Sequence, residues 1–188
     1  GTPVHSIVFG GWHAPFSDPN PDVIEKGLVG MRKTLADAKA VGADNVLLVP
    51  GIVTDTVSYG QAYSRSQENI RKLIPLAADL NVTIAVENVW NKFLLSPLEF
   101  ARYVDEFAHP KVKAYFDIGN VILFGFSQDW IRTLGKRINR IHLKDFKRQV
   151  YQWTNLKDGD VNWAQVRKSL EEIGYSGWEI VGDGNYLL

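Results

Sequence analysis

The sequence predicts an α/β fold of the (β/α)8 barrel type, in a single domain over residues 1–188. Three observations predict it. Short apolar runs alternate strictly with helical patterns, which argues for a parallel sheet covered by helices. Several of the runs are apolar without alternation, as strands buried on both faces are. Three of them stop abruptly at a residue able to bind a metal, and a parallel barrel collects all its strand C-termini on one face.

The elements follow in order. Val4–Phe9 reads as a strand ending at Gly10-Gly11. The spacing of Ile24, Leu28, Met31, Leu35 and Ala38 predicts a helix from Asp22 to Val41, closed by Gly42. Asn45–Val49 is the next strand, stopped by Pro50-Gly51, and a helix runs from Gln67 to Leu80 with Ile70, Leu73, Ile74 and Ala77 on one face. Val82–Val86 is a strand. Ser96, Pro97 and Glu99 form a helix start, with a capping serine, a proline at the first position and an acid three after the cap. That helix ends near Ala108. A strand over Val112–Phe116, a helix over Gln128–Gly135 and a strand over Ile138–Leu143 come next. Lys147 to Asp160 reads as a polar loop, Trp163–Ile173 as a helix, Gly174–Gly177 as a turn and Trp178–Val181 as the last strand.

Six β units are thus expected. A complete eight-fold barrel takes roughly 250 residues, and this chain has 188. An open doubly wound sheet is the competing architecture. No glycine-rich loop follows any strand, so nothing supports a dinucleotide fold.

Composition narrows the function classes. Twenty-one basic residues balance 21 acidic ones, so the basic footprint of a nucleic-acid binder is missing. There is no cysteine, which excludes disulfides, thiolate catalysis and cysteine zinc sites. No apolar run approaches the roughly 20 residues of a membrane span, and a cytoplasmic location is the expectation.

The chemistry concentrates at three strand ends. Val82–Val86 stops at Glu87, Val112–Phe116 at Asp117 and Ile138–Ile141 at His142. Any one of them alone is better read as a helix cap, a loop solvator or a core histidine. Their coincidence on consecutive strands favours a common site. Two carboxylates and one imidazole suit a single divalent ion, Mn²⁺ first, with Mg²⁺, Co²⁺ or Zn²⁺ as alternatives. Trp12 and His13, just past the first strand, are candidates for a pocket wall and a hydrogen-bond donor. Lys92, Lys144, Lys147 and Arg148 make a basic set that is either a solvated face or a phosphate site.

Five motifs together, Val86-Glu87-Asn88, Phe116-Asp117-Ile118-Gly119-Asn120, Ile141-His142-Leu143-Lys144-Asp145, Gly159-Asp160-Val161-Asn162-Trp163 and Gly174-Tyr175-Ser176-Gly177-Trp178, resemble the xylose-isomerase-like barrel superfamily of sugar and sugar-phosphate isomerases and epimerases. The resemblance runs from Val4 to the end. It implies two βα units ahead of the segment resembling Val4–Phe9, and a metal held by Glu87, Asp117, His142 and a second glutamate. It also implies that Asn120 and Arg148 touch substrate hydroxyls, although Asn120 reads equally well as a cap and Arg148 as a solvated charge. The position for the second glutamate falls on Gly182, so that either the carboxylate is lost, or Asp183 replaces it, or it lies in residues between Val181 and Gly182 that the sequence does not include.

The implied reaction moves a proton beside a carbonyl through an enediolate, with Glu87 and Asp183 as the candidate acid–base carboxylates. The implied partner is a small sugar, with no nucleic acid and no membrane, in a chain that pairs with a second copy if the missing strands leave open edges. Three alternatives stand beside it. One is a dehydratase acting on an inosose, and one is a degenerate barrel that binds without turnover. An abasic-site endonuclease is disfavoured, because only His5, His13, His109 and His142 are present.

Overall fold

A computed structural model describes residues 3–181 of the chain. The chain divides into two compact units.

The first unit comprises Gly1–Glu87, Asn91–Phe93 and Phe107–Lys113. Its strands are β1 (Ile7–Val8), β2 (Asn45–Leu48) and β3 (Thr83–Glu87), with helix α1 (Pro21–Val41) between β1 and β2, and α2 (Tyr59–Arg71) and α3 (Ile74–Leu80) between β2 and β3. Pairing is parallel: Ile7 aligns with Val46, and Asn45 to Leu48 align with Thr83 to Val86. Every residue of β2 and β3 is buried, as both-face coverage by helices requires. Asn20 caps α1 by accepting from the Asp22 N–H, Pro21 occupies the first position, and Gly42 ends the helix. Leu28, Met31, Leu35 and Ala38 form its buried stripe, as the 3.6-residue period predicts.

Two sequence expectations shift here. The first strand is Ile7–Val8 rather than Val4–Phe9. Val4 is 43% exposed, so burial does not hold its segment against β2. The helix expected from Gln67 to Leu80 begins at Tyr59 and breaks between Arg71 and Ile74. Ser58 and Gln61 close a reciprocal capping box at its start. Pro75, with no N–H to donate, sits in the first turn after the break.

The second unit comprises Asn88–Trp90, Leu94–Glu106 and the chain from Ala114 onward. It holds α4 (Pro97–Asp105), most of β4 (Val112–Asp117), α5 (Ser127–Leu134), β5 (Ile138–Leu143), β6 (Asp145–Lys147), β7 (Gln152–Thr154), α6 (Trp163–Glu172) and β8 (Trp178–Val181). Ser96 caps α4 through the Glu99 N–H, as the sequence predicts. β4, β5 and β8 run parallel in that order. An irregularity between Ala114 and Tyr115 resets the register, so that Asp117 lies opposite His142. Helix α5 packs against α4 and α6, and Arg132 reaches Glu172 across the α5–α6 contact at 2.6 Å. The segment expected to be a plain loop from Lys147 to Asp160 instead carries half of an antiparallel hairpin, β6 with β7. No helix among the described residues is long and apolar enough to cross a membrane.

Candidate metal centre

Strand β4 delivers Asp117 to its C-terminal end and β5 delivers His142, and the two are register partners. The side chain of Asp117 is fully buried, and that of His142 is 12% exposed. Asp117 is fixed by its neighbours on the chain. The Asn88 amide grips its backbone from both sides, donating from Nδ2 to the Asp117 carbonyl (3.0 Å) and accepting from the Asp117 N–H at Oδ1 (2.9 Å). The Asn120 N–H donates to Asp117 Oδ1 at 2.9 Å, and the Asn120 amide donates to the Asn88 carbonyl at 2.7 Å. Trp90 Nε1 closes the ring by donating to the Asn120 carbonyl at 2.8 Å.

These bonds commit Oδ1 and leave Oδ2. That oxygen is buried and accepts no hydrogen bond of good geometry. Two nitrogens lie near it, His142 Nδ1 at 3.6 Å and Lys144 Nζ at 2.9 Å. Glu87, the residue before Asn88, ends β3 with 2% of its surface exposed. Asp117 and His142 thus bring a carboxylate oxygen and an imidazole nitrogen together at one end of the second unit. A buried carboxylate oxygen without a hydrogen bond, beside an imidazole nitrogen, fits a divalent cation in chemistry, and mixed oxygen–nitrogen sets suit Mn²⁺, Mg²⁺, Co²⁺ or Zn²⁺.

A family model for the xylose isomerase-like TIM barrel matches residues 2–183. The chain belongs to this family. The xylose isomerase-like fold is equally plain in three dimensions. A D-tagatose 3-epimerase-like protein superimposes with a TM-score of 0.84 at 19% identity, covering 94% of this chain and 70% of that one. An L-ribulose 3-epimerase gives 0.81 at 17% identity, covering 96% and 62%. Among relatives in sequence, an uncharacterized protein of Methanocaldococcus jannaschii is 23% identical over 178 residues, 88% of this chain and 61% of its own. The L-ribulose-5-phosphate 3-epimerase of Escherichia coli O1:K1 is 26% identical over 166 residues, 87% and 58%. An inosose dehydratase of Geobacillus thermodenitrificans is 26% identical over 134 residues, 61% and 44%. The chain thus spans about three-fifths of the length of the first two of these relatives. The fold is TIM-barrel-like, as the sequence motifs imply for a xylose isomerase-like chain.

The other residues singled out in the sequence fall in different surroundings. Asn120 is buried and committed to the Asp117 ring of hydrogen bonds. Arg148 is anchored at Asp160, to which it donates from its backbone N–H at 2.7 Å, and its guanidinium lies 5.7 Å from the Phe126 ring centroid. The bond from the Arg148 N–H, with the guanidinium behind it, holds the Asp160 carboxyl below its ordinary range. Trp12 is half-buried and His13 exposed in the turn after β1. Gly182 and Asp183 lie outside the described residues.

Lys144 departs from the expectation of a solvated or phosphate-binding charge. It is buried at the end of β5, paired with Asp117 and lying over the Trp153 ring at 5.6 Å. Gly119 makes that approach possible, because a Cβ there would meet the Lys144 and Trp153 side chains.

Trp90, just beyond Glu87, is readable in the sequence as a pocket-wall candidate, but two features around it are not singled out there. One is the aromatic cluster of Trp90, Phe146, Tyr151 and Trp153, in which Trp90 stacks on Trp153 at 4.9 Å. The other is Asp145, whose Oδ1 accepts from the Phe146 and Val161 N–H groups, while Oδ2 accepts from the Lys157 N–H and Trp163 Nε1. Its signal was present in the sequence as an aspartate directly after a strand-end lysine.

Proposed function

We propose that the protein is a divalent-metal-dependent isomerase or epimerase of a ketose or ketose phosphate, with Glu87, Asp117 and His142 as metal ligands and Mn²⁺ as the preferred ion. The observation that carries the reading is the buried Asp117 Oδ2, oriented beside His142 Nδ1 with no hydrogen bond of its own. The family and the epimerase names among its relatives support the same class. A bound divalent ion would supply charge to stabilise an enediolate as it forms.

The chain's own residues do the rest. Glu87 takes the proton from the carbon beside the substrate carbonyl, and the electron pair moves onto the carbonyl oxygen to give the enediolate. A second carboxyl group, Asp183 by position, starts protonated and gives its proton to the opposite face to yield the epimer, leaving Glu87 protonated and Asp183 ionised until both exchange with water. Asn88 and Asn120 hold Asp117 in place throughout. Trp90 and Trp153, half-buried and stacked, form an apolar wall suited to a sugar's C–H face. Arg148, His13 and Trp12 are the candidates for substrate hydroxyls.

The test is Mn²⁺-loaded protein incubated with a panel of ketoses and ketose phosphates in deuterated water, followed by proton NMR. Deuterium appearing at the carbon beside the carbonyl, with a new epimer, is expected, and Glu87→Gln stops both. Absence of exchange with every sugar, together with failure to retain Mn²⁺, overturns the reading. A second reading, dehydration of a cyclic polyol ketone, is favoured by the inosose dehydratase relative. It shares the proton abstraction but expels a hydroxyl, so the same spectra would show loss of water in place of an epimer.

A further inference from the structure

Oδ2 is the Asp117 oxygen more open to a cation, because Oδ1 already accepts the Asn120 N–H and Oδ2 accepts no hydrogen bond. It has an ammonium beside it. Lys144 Nζ sits 2.9 Å away, on a side chain 9% exposed. The pair attracts through charge without hydrogen-bond geometry, since Oδ2 accepts no hydrogen bond. A metal bound to Oδ2 and His142 would stand about 2.0–2.6 Å from that oxygen. It would then share a single carboxylate oxygen with the ammonium, in a buried setting where like charges repel strongly.

We infer that Lys144 is an internal competitor for the metal: it neutralises Asp117 while the site is empty, and divalent-cation binding must displace its ammonium from Oδ2. The inference rests on the metal-site reading above and concerns what that site does before loading.

The surroundings allow such a displacement. The base of the Lys144 side chain is packed against Gly119, where even a methyl group would collide with it. Movement is therefore confined to the flexible end. The Trp153 ring, 5.6 Å from Nζ, offers a face that attracts a cation. The ammonium already lies over that ring, so it can leave Oδ2 and keep this contact without returning to solvent. Two consequences follow. The Lys144–Asp117 ion pair competes with the ion for Oδ2, so metal affinity is lower than the ligand set alone would give. Loading also changes the position of the Lys144 terminus relative to the Trp153 ring.

The test compares Mn²⁺ binding by calorimetry, at one fixed pH, for the wild type, Lys144→Met and Asp117→Asn. Methionine keeps the length and the contact with Trp153 and removes the charge. Lys144→Met is expected to bind Mn²⁺ roughly tenfold more tightly, the equivalent of about 1.4 kcal/mol. Asp117→Asn is expected to lose binding. Equal or weaker binding by Lys144→Met, with wild-type binding intact and dependent on Asp117, overturns the role of Lys144 and leaves the metal site standing. Binding by neither the wild type nor Lys144→Met overturns both.

If Lys144→Met does not fold, Mg²⁺ titration of wild-type protein carrying ¹³C-labelled lysine decides the matter. The Lys144 ε-carbon signal, identified by its shift in Trp153→Phe, moves as Mg²⁺ saturates, and a signal unmoved at saturation overturns the inference.

Discussion

Asp145→Asn changes one atom and should cost more stability than most core truncations of similar size. The carboxylate is 1% exposed and accepts four hydrogen bonds, from the Phe146 N–H at 2.9 Å, the Val161 N–H at 3.1 Å, the Lys157 N–H at 2.9 Å and Trp163 Nε1 at 2.8 Å. Every partner is a donor. An asparagine has one acceptor oxygen, so in either orientation its amide group faces two N–H groups. Two bonds are lost and two donors are left unsatisfied. Hydrogen bonds to a charged group are worth about 1.5–3 kcal/mol each, which puts the loss of two at about 3–6 kcal/mol. The damage falls on the β6–β7 hairpin and the start of α6, because these are the segments the carboxylate ties together. Urea unfolding followed by circular dichroism measures the global loss. Hydrogen exchange at the Phe146 and Val161 amides measures the local one, with exchange in the variant faster by at least two orders of magnitude. A midpoint within 1 kcal/mol of the wild type and unchanged protection would refute the reasoning, because the four bonds would then be worth little more than water.

Asn88→Ala leaves the buried N–H and C=O of Asp117 unpaired, and is expected to lose about 2–4 kcal/mol of stability together with Mn²⁺ affinity, read by thermal melts with and without the ion. At Asp160 the largest cause of the lowered pKa is the Arg148 backbone N–H, which a side-chain substitution keeps. Carboxyl-carbon NMR should therefore find Asp160 still titrating below its ordinary range in Arg148→Ala. Because its folded pKa is depressed, the stability it contributes is present above the ordinary aspartate value near 3.9 and is lost as pH falls through the folded one. Burial pushes the Tyr175 phenol well above its ordinary value, and its hydroxyl donates to the Trp178 carbonyl at 2.8 Å. Ultraviolet titration of the wild type against Tyr175→Phe should show the Tyr175 phenol ionising only on unfolding. The stability linked to it is present below about pH 10 and declines above, a decline that Tyr175→Phe abolishes.

Much of this was legible in the chain itself. Glu87, Asp117 and His142 stand out because each ends an apolar run, and strand C-termini in parallel α/β sheets share a face. Capping chemistry is equally local: Asn20, Ser96 and Gly42 mark helix ends within a few residues of themselves. The Ser58–Gln61 capping box was equally readable, and was obscured by the polar first turns of α2. What stayed hidden depends on partners distant in sequence. Lys144 looks like one of several surface charges until β5 carries it beneath Trp153 and against Asp117. Asp145 gathers donors from 146, 157, 161 and 163, a set that only the hairpin assembles, and two strands of three residues each are too short for their alternation to stand out as a periodic signature. The short β1 fails for the opposite reason. Its β-branched residues promise a strand, yet Val4 is left exposed, and propensity without burial does not extend pairing.

The grip of Asn88 on Asp117 bears on how such a protein can change over time. One amide supplies the two backbone bonds that a neighbouring strand would otherwise give, at the point where β3 gives way to irregular chain. The aspartate is therefore anchored by the residue next to Glu87, with Trp90 closing the ring through Asn120. Change in the irregular chain between Trp90 and the Ser96 cap can alter the neighbouring surface while the bonds that hold Asp117 stay where they were. Innovation in what is recognised and constancy in what is done are thereby assigned to adjacent stretches of the same chain.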